Sequence, residues 1–374
     1  MSFADTLAAT DWDDIRLRIY ATTAKEVEAA INAPHLTLQH LPALLSPAAE
    51  SYLPVLASRA RQLTRCRFGH TMQFFVPLYL SNLCANECTY CGFSASNAIR
   101  RKTLSEEEIS AEVAVIKAMG FDSVLLVTGE HERKVGMAYF RRVLPLIKPH
   151  FSYVAMEVQP LAEDDYQILK TLGVDAVMVY QETYQRRRYA EYHTRGNKQD
   201  FDWRLLTPER LARAGMDKIG LGILIGLNDW RVDSYFTALH LEYLQSRYWR
   251  SRYSLSVPRL RPYTGDKVST LDMTNRQLLQ LICVHRLLNA EVEISLSTRE
   301  SAALRDKLMP FGITSLSAAS STQPGGYSAT DEALEQFSTD DKRSPEAVAD
   351  AVVKLGMTPV WKDWSQAFSG WNCR

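Results

Sequence analysis

Cys84, Cys88 and Cys91 span eight residues in the spacing Cys-x3-Cys-x2-Cys. Thiolates are soft ligands that suit zinc or iron–sulfur clusters. A structural zinc site closes with four ligands, and an electron-transfer ferredoxin supplies a full set of cysteines to its cluster. No fourth cysteine or suitable histidine lies close to these three in sequence. Three thiolates can instead hold three irons of a [4Fe–4S] cluster and leave the fourth iron without a protein ligand. The remaining cysteines, Cys66, Cys283 and Cys373, stand alone, unlike the even spread of a disulfide framework.

Such a cluster must sit where several elements converge. From Phe74 onward, short apolar runs alternate with longer amphipathic segments, the texture of a parallel sheet with crossover helices. Strands are predicted to begin near Phe74, Ser123, Tyr153, Ala176, Lys218, Tyr253, Glu291 and Thr314. Ser105 and Glu108 form a capping box that opens one intervening helix and Gly120 ends it, while Gly173, Gly215 and Gly312 follow others. Eight strands separated by helices predict an α/β fold, a (βα)8 TIM-type barrel over residues 71–327. Barrel active sites assemble at the C-terminal ends of the strands, and the cysteines lie just past the end of the first.

Residues 1–70 are predicted to form an N-terminal helical extension, with apolar residues at helical spacing in 24–31 and 52–63. Residues 328–374 are expected to form a C-terminal helix, at 345–355, and an aromatic tail bearing Trp361, Trp364 and Trp371, packed on the barrel. The 374 residues carry 43 Lys plus Arg against 43 Asp plus Glu, which removes the electrostatic basis for nucleic-acid binding. No apolar run approaches the ~20 residues of a membrane-spanning helix, and the first residues have neither the basic nor the apolar region of an export signal. The expected setting is cytoplasmic, with no membrane and no nucleic-acid partner.

The cysteine triplet resembles the defining motif of the radical S-adenosylmethionine (SAM) superfamily. The resemblance implies that SAM chelates the fourth iron and that one electron from the cluster cleaves its sulfonium bond, giving a 5′-deoxyadenosyl radical. Tyr90 falls at the position near the SAM adenine, and Gly129 and Glu130 in Val127-Thr-Gly-Glu fall in the segment that receives the SAM amino group. Gly222 and Gly226, in Gly222-Ile-Leu-Ile-Gly-Leu-Asn-Asp229, match a fifth-strand segment that supports the adenine. Glu182 and Arg204 match the acidic and basic positions for the SAM ribose and carboxylate.

Within that superfamily the chain is similar to the aromatic amino acid lyases. The segments that carry this similarity are Pro77-Leu-Tyr-Leu-Ser-Asn, Val179-Tyr-Gln-Glu-Thr-Tyr184, Lys218-Ile-Gly-Leu-Gly, Ser256-Val-Pro-Arg259, Ser297-Thr-Arg-Glu300 and Pro324-Gly-Gly-Tyr327. It implies hydrogen-atom abstraction from L-tyrosine and Cα–Cβ cleavage to 2-iminoacetate and p-cresol. It also implies a thiazole synthase partner in thiamine biosynthesis and a flavodoxin or ferredoxin as electron donor. Arg299 is the expected grip for the substrate carboxylate, with Ser317 as a nearby hydrogen-bonding group and Tyr79 as a substrate contact near the cluster. Glu157 and Gln159 are inward-facing polar residues without an assigned role. A related lyase of hydrogenase assembly carries a second cysteine-bound cluster in a C-terminal extension; after Cys283 only Cys373 remains here, which disfavours that reading. Another lyase of the same family, or a non-catalytic iron–sulfur scaffold, is the alternative, and a scaffold leaves the SAM-like strand ends without use.

Overall fold

The structure is a computed structural model that describes residues 2–263, 273–328 and 335–362. Eight parallel strands alternate with helices: β1 Thr71–Ser81, β2 Ser123–Thr128, β3 Tyr153–Glu157, β4 Ala176–Met178, β5 Lys218–Gly222, β6 Arg252–Ser256, β7 Glu293–Leu296 and β8 Ser315–Ser317. Each pairs with the next in sequence, and β8 returns to β1 through Gln73↔Ser315 and Phe75↔Ser317, so the barrel closes. The chain thus forms the (βα)8 barrel expected from its alternating texture.

Strand side chains alternate between faces, which divides each strand's residues between two environments. Phe75, Pro77 and Tyr79 of β1 line the barrel interior, while Phe74, Val76 and Leu78 are buried in the layer between sheet and helices. At the N-terminal end of the barrel, Lys218 of β5 pairs with Glu293 of β7, and its ammonium lies 5.4 Å from the centre of the Tyr153 ring. Tyr153, Ala155, Ala176, Leu125 and Met178 pack above that pair and fill the floor. Beyond this packed layer the interior forms a cavity lined by residues of the C-terminal strand ends.

Helix punctuation follows the sequence signals. Ser105 and Glu108 make a reciprocal capping box at the start of Glu106–Ala118, and Gly120 leaves that helix with φ +86°. Two strand starts differ from the sequence reading by more than one residue. β1 begins three residues before Phe74, because Thr71–Gln73 gains a parallel partner in the short strand Thr358–Val360. β7 begins at Glu293 rather than Glu291, because the Asn289 side chain accepts the backbone N–H groups of Glu291 and Val292 in a turn.

The N-terminal residues form the helices Phe3–Ala8, Trp12–Ala21, Ala24–Ile31, Leu41–Leu45 and Leu53–Phe68. They cover the helices that follow β5 and β6. Phe3 stacks on His240 at 3.8 Å between ring centres, Trp12 stacks on Phe236 at 5.1 Å, and the buried Arg231 meets Glu50 at 2.6 Å. After β8 come the helix Pro345–Lys354 and Trp361, whose ring lies 4.7 Å from Phe74 and 5.3 Å from Phe121. Trp364, Trp371 and Cys373 lie outside the described residues.

Candidate active site

The cavity at the C-terminal mouth of the barrel holds about 1450 Å³ of empty space, its open mouth included. Cys84, Cys88 and Cys91 all line it, on the loop that leaves β1. Arg101 holds that loop in shape by donating to the carbonyls of Asn82, Phe93, Ser94 and Asn97 at 2.6–3.2 Å. A guanidinium suits this task because its planar fork offers five donors in fixed directions.

The other wall is the long loop after β4. Glu87–Cys88 pairs in an antiparallel ribbon with His193–Arg195, which staples the cysteine loop to it. The fit is close: a Cβ on Gly196, whose φ is +90°, would lie 2.2 Å from the Asn86 side-chain oxygen. Asn86 accepts the backbone N–H of Lys198 at 3.0 Å and donates to Glu130 at 2.7 Å. Lys198 in turn pairs with Glu182 at 2.8 Å.

The donor set fits a multi-iron cluster. Among the described residues no three His, Cys, Asp or Glu side chains come together to hold a single metal ion, yet three thiols face one cavity. No other described cysteine completes the set: Cys66 is exposed, and Cys283 is buried on the helix Asn275–Leu288, 3.9 Å from the Phe311 carbonyl. Gly129 lies against this loop, where a Cβ would come within 2.4 Å of the Leu83 carbonyl oxygen. Gln336, approaching from the segment after β8, donates to the Cys91 sulfur at 3.7 Å.

Most residues singled out in the sequence converge here. Tyr79, Tyr90, Gly129, Glu130, Glu182, Arg204, Arg299 and Ser317 line the cavity with the three cysteines. Arg204 pairs with Glu130 at 2.9 Å and donates to the Tyr180 carbonyl at 2.6 Å. Burial alone would raise the Glu130 carboxyl, but Arg204 and Lys198 outweigh it and hold the group below its ordinary range. Glu182 has φ +69°, an uncommon conformation for a residue other than glycine, and Asp233 stabilises the turn by accepting from Thr183 Oγ1 at 3.0 Å and Tyr184 N–H at 2.7 Å.

The Tyr90 hydroxyl lies 2.7 Å from His193 Nε2, and His193 Nδ1 lies 2.7 Å from the Tyr189 carbonyl. A carbonyl can only accept, so Nδ1 carries the proton and Tyr90 donates to Nε2. Burial, with Lys198 and Arg204 nearby, keeps the ring neutral by pulling its pKa well below the ordinary value.

On the opposite wall, Arg299 is half-buried with its guanidinium carbon 3.4 Å from the centre of the Phe337 ring. The adjoining Glu300 is ion-paired with Arg259, so two of the sequence segments brace each other. Ser317 Oγ accepts the Thr298 N–H at 3.2 Å, and the Tyr79 hydroxyl donates to Gln336 at 2.7 Å. Glu157 reaches the cavity, whereas Gln159 turns away to bond the Val135 carbonyl and the His131 N–H.

Gly222 and Gly226 do not line the cavity; Leu224, between them, does. A Cβ on Gly222 would lie 2.4 Å from the Ser256 carbonyl, so this glycine allows β5 and β6 to approach. Asn86, Lys198, His193, Gln336 and Phe337 escaped the sequence reading. Asn86 sits inside the cysteine motif, where only the thiols drew notice, whereas Lys198, His193, Gln336 and Phe337 reach the site through long-range loop contact and sit in no local motif.

A barrel whose C-terminal mouth presents three cluster-type thiols and a row of buried ion pairs is the architecture of an iron–sulfur enzyme with one coordination position left for a small molecule. A family model described as Radical SAM superfamily matches residues 78–238, and one described as Biotin and Thiamin Synthesis associated domain matches 256–358. The chain is 61% identical over 97% of both chains to the 2-iminoacetate synthase of Escherichia coli (strain K12), and 59% identical over the same share to that of Salmonella typhimurium. Among solved structures, HydG, a maturase of the [FeFe]-hydrogenase, matches with a TM-score of 0.89 at 29% identity, over 96% of this chain and 81% of that one. The chain belongs to the 2-iminoacetate synthase family of the radical SAM superfamily, and its cofactors are a [4Fe–4S] cluster and SAM.

Proposed function

We propose that this chain is a carbon–carbon lyase that splits L-tyrosine between Cα and Cβ into 2-iminoacetate and p-cresol, for the thiazole moiety of thiamine. The observation that carries the reading is the 61% identity, nearly end to end, to a 2-iminoacetate synthase. When bound, the cluster and SAM supply a one-electron cleavage that delivers a carbon-centred radical to the substrate, with methionine and 5′-deoxyadenosine as the SAM products.

The chain's own residues bind, orient and shield. Cys84, Cys88 and Cys91 ligate the cluster, and the fork of Arg101 fixes the loop that bears them. Tyr90, oriented by His193, faces the adenine. Gly129 and Glu130 take the SAM amino group, and Glu182 and Arg204 take its ribose and carboxylate. Gly222 and Gly226 act through the backbone, by placing Leu224 against the nucleoside.

Arg299 grips the tyrosine carboxylate through two parallel hydrogen bonds, with Ser317 beside it and Tyr79 between substrate and cluster. The floor at Lys218 and Glu293 and the stapled loops at the mouth keep water from the reacting atoms, which must be held ~3–3.5 Å apart. In this reading residues 1–70 brace the barrel of 71–327 from outside, and the helix Pro345–Lys354 with Trp361 packs on it. The chain works in the cytoplasm with a flavodoxin or ferredoxin as electron donor and a thiazole synthase as acceptor of 2-iminoacetate.

The test is anaerobic turnover of the reconstituted protein with SAM, reductant and either tyrosine, tryptophan or phenylalanine. The expected result is p-cresol from tyrosine and no corresponding cleavage of the other two. 5′-Deoxyadenosine without p-cresol rejects tyrosine lysis, and no 5′-deoxyadenosine at all favours the scaffold.

A further inference from the structure

The charged groups that line the cavity do not cancel evenly. Glu130 pairs with Arg204, Glu182 with Lys198, and Arg261 with Asp340 of the segment after β8. Two charged lining residues are left over, Glu157 and Arg299, and among the described residues neither side chain has an ion-pair or hydrogen-bond partner. One is an anion at the end of β3 and the other a cation just after β7. In a closed barrel of eight, strands four apart stand on opposite walls. The cavity therefore presents one spare negative and one spare positive group across its axis, the complement of a zwitterion.

We propose that Glu157 is a further substrate-binding residue, which receives the α-ammonium group of the amino acid whose carboxylate Arg299 grips. The proposal rests on the tyrosine lyase reading and deepens it, because it fixes both charged ends of the substrate head group. With the ammonium drawn toward Glu157 and the carboxylate toward Arg299, Cα lies between the two side chains that reach in from opposite walls. A ligand lacking either charged group leaves one of these half-buried charges without a partner, so the pair also confers selectivity for α-amino acids.

The electrostatics of the site are consistent with this geometry. Burial, with Glu182 nearby, pushes the Glu157 carboxyl up to about 7, against the opposing pull of Arg299, Lys198 and Arg204. The Tyr79 and Tyr180 hydroxyls also feel its charge. A group raised in this way is held ionised by an arriving cation. Below pH 7 the empty site holds a proton that the ammonium must displace, so affinity for the amino acid weakens as pH falls, by at most about tenfold per pH unit.

The experiment is equilibrium binding to anaerobically reconstituted, SAM-loaded enzyme without reductant, so that nothing turns over. The ligands are L-tyrosine and 3-(4-hydroxyphenyl)propanoate, which lacks only the amino group, at pH 6 to 8. The wild-type enzyme is expected to prefer tyrosine by about 10- to 100-fold at pH 8, the range for one charge-assisted hydrogen bond, and to lose part of that preference toward pH 6. Glu157→Gln is expected to weaken tyrosine binding by a similar factor, to leave the propanoate nearly unchanged, and to flatten the pH dependence.

A variant that keeps the wild-type preference overturns the proposal. Should the variant not fold, the wild-type enzyme still decides: equal affinity for the two ligands, or a preference that does not move with pH, overturns it. Those results leave the lyase reading intact, since p-cresol formation is scored separately. Failure of the wild-type enzyme to bind either ligand rejects both.

Discussion

Arg204 meets Glu130 at 2.9 Å across the mouth of the barrel, joining the loop after β4 to the end of β2 through two almost fully buried side chains. Little solvent reaches this pair, but Arg204 also lies 3.8 Å from Glu182 and Lys198 stands near Glu130, so removing one partner leaves the other only partly neutralised. Glu130→Gln and Arg204→Ala are each expected to destabilise the fold by about 1–3 kcal/mol and to weaken SAM binding by at least tenfold. Thermal unfolding and SAM equilibrium dialysis of the two variants check this, and wild-type values in both would show that the pair supports neither.

Arg101 satisfies four carbonyls of the cysteine loop at once, so its loss should be felt at the cluster rather than across the whole fold. Arg101→Ala is expected to lower the iron and sulfide content after reconstitution and to speed cluster loss in air several-fold. Arg101→Lys should rescue only part of this, because an ammonium cannot reproduce a planar fork. Iron analysis and the decay of cluster absorbance give the readout.

Asp233 supplies a pH test of how the Glu182 turn is held. Burial raises its carboxyl to about 8, although the Tyr184 N–H and the Thr183 hydroxyl pull it down. The native state then keeps a proton that the unfolded chain has released, so between about pH 4 and pH 8 this group lowers stability as pH rises, by up to about 1.4 kcal/mol per pH unit. Asp233→Asn keeps a side-chain oxygen to accept both bonds and cannot ionise. Its melting temperature should match the wild-type value near pH 4 and exceed it increasingly toward pH 8; a gap that closes toward alkaline pH contradicts the assignment.

Phe3 is fully buried, stacked on His240 and tilted against Tyr243 at 5.4 Å, while its backbone N–H donates to Glu209 at 2.8 Å. The first helix is therefore tied to the barrel's outer helices by one aromatic side chain. Phe3→Ala should destabilise the protein by about 3–5 kcal/mol without changing the affinity for SAM, as seen in denaturant unfolding alongside dialysis.

The barrel was legible in the sequence because its signals are local. Apolar runs bounded by Gly120, Gly173 and Gly215 mark strands and helices within a few residues of where they stand. The cysteine spacing is likewise a property of one loop. What stayed hidden depends on segments far apart in the chain: the ribbon that joins Cys88 to His193, the ammonium of Lys198 against Glu182, the donation of Gln336 to Cys91, and the strand Thr358–Val360 that lengthens β1. Gly222 and Gly226 illustrate the converse. A glycine pattern that resembles a ligand contact lies beside the cavity, and at Gly222 its structural work is to let two strands approach.

The central claim is that the bond broken is Cα–Cβ of tyrosine. Anaerobic turnover of L-tyrosine labelled with carbon-13 at Cβ tests it most directly, since that carbon must become the methyl group of p-cresol. The account predicts labelled methyl p-cresol in step with 5′-deoxyadenosine. 5′-Deoxyadenosine accompanied by a product in which the labelled carbon is still bonded to Cα would contradict it.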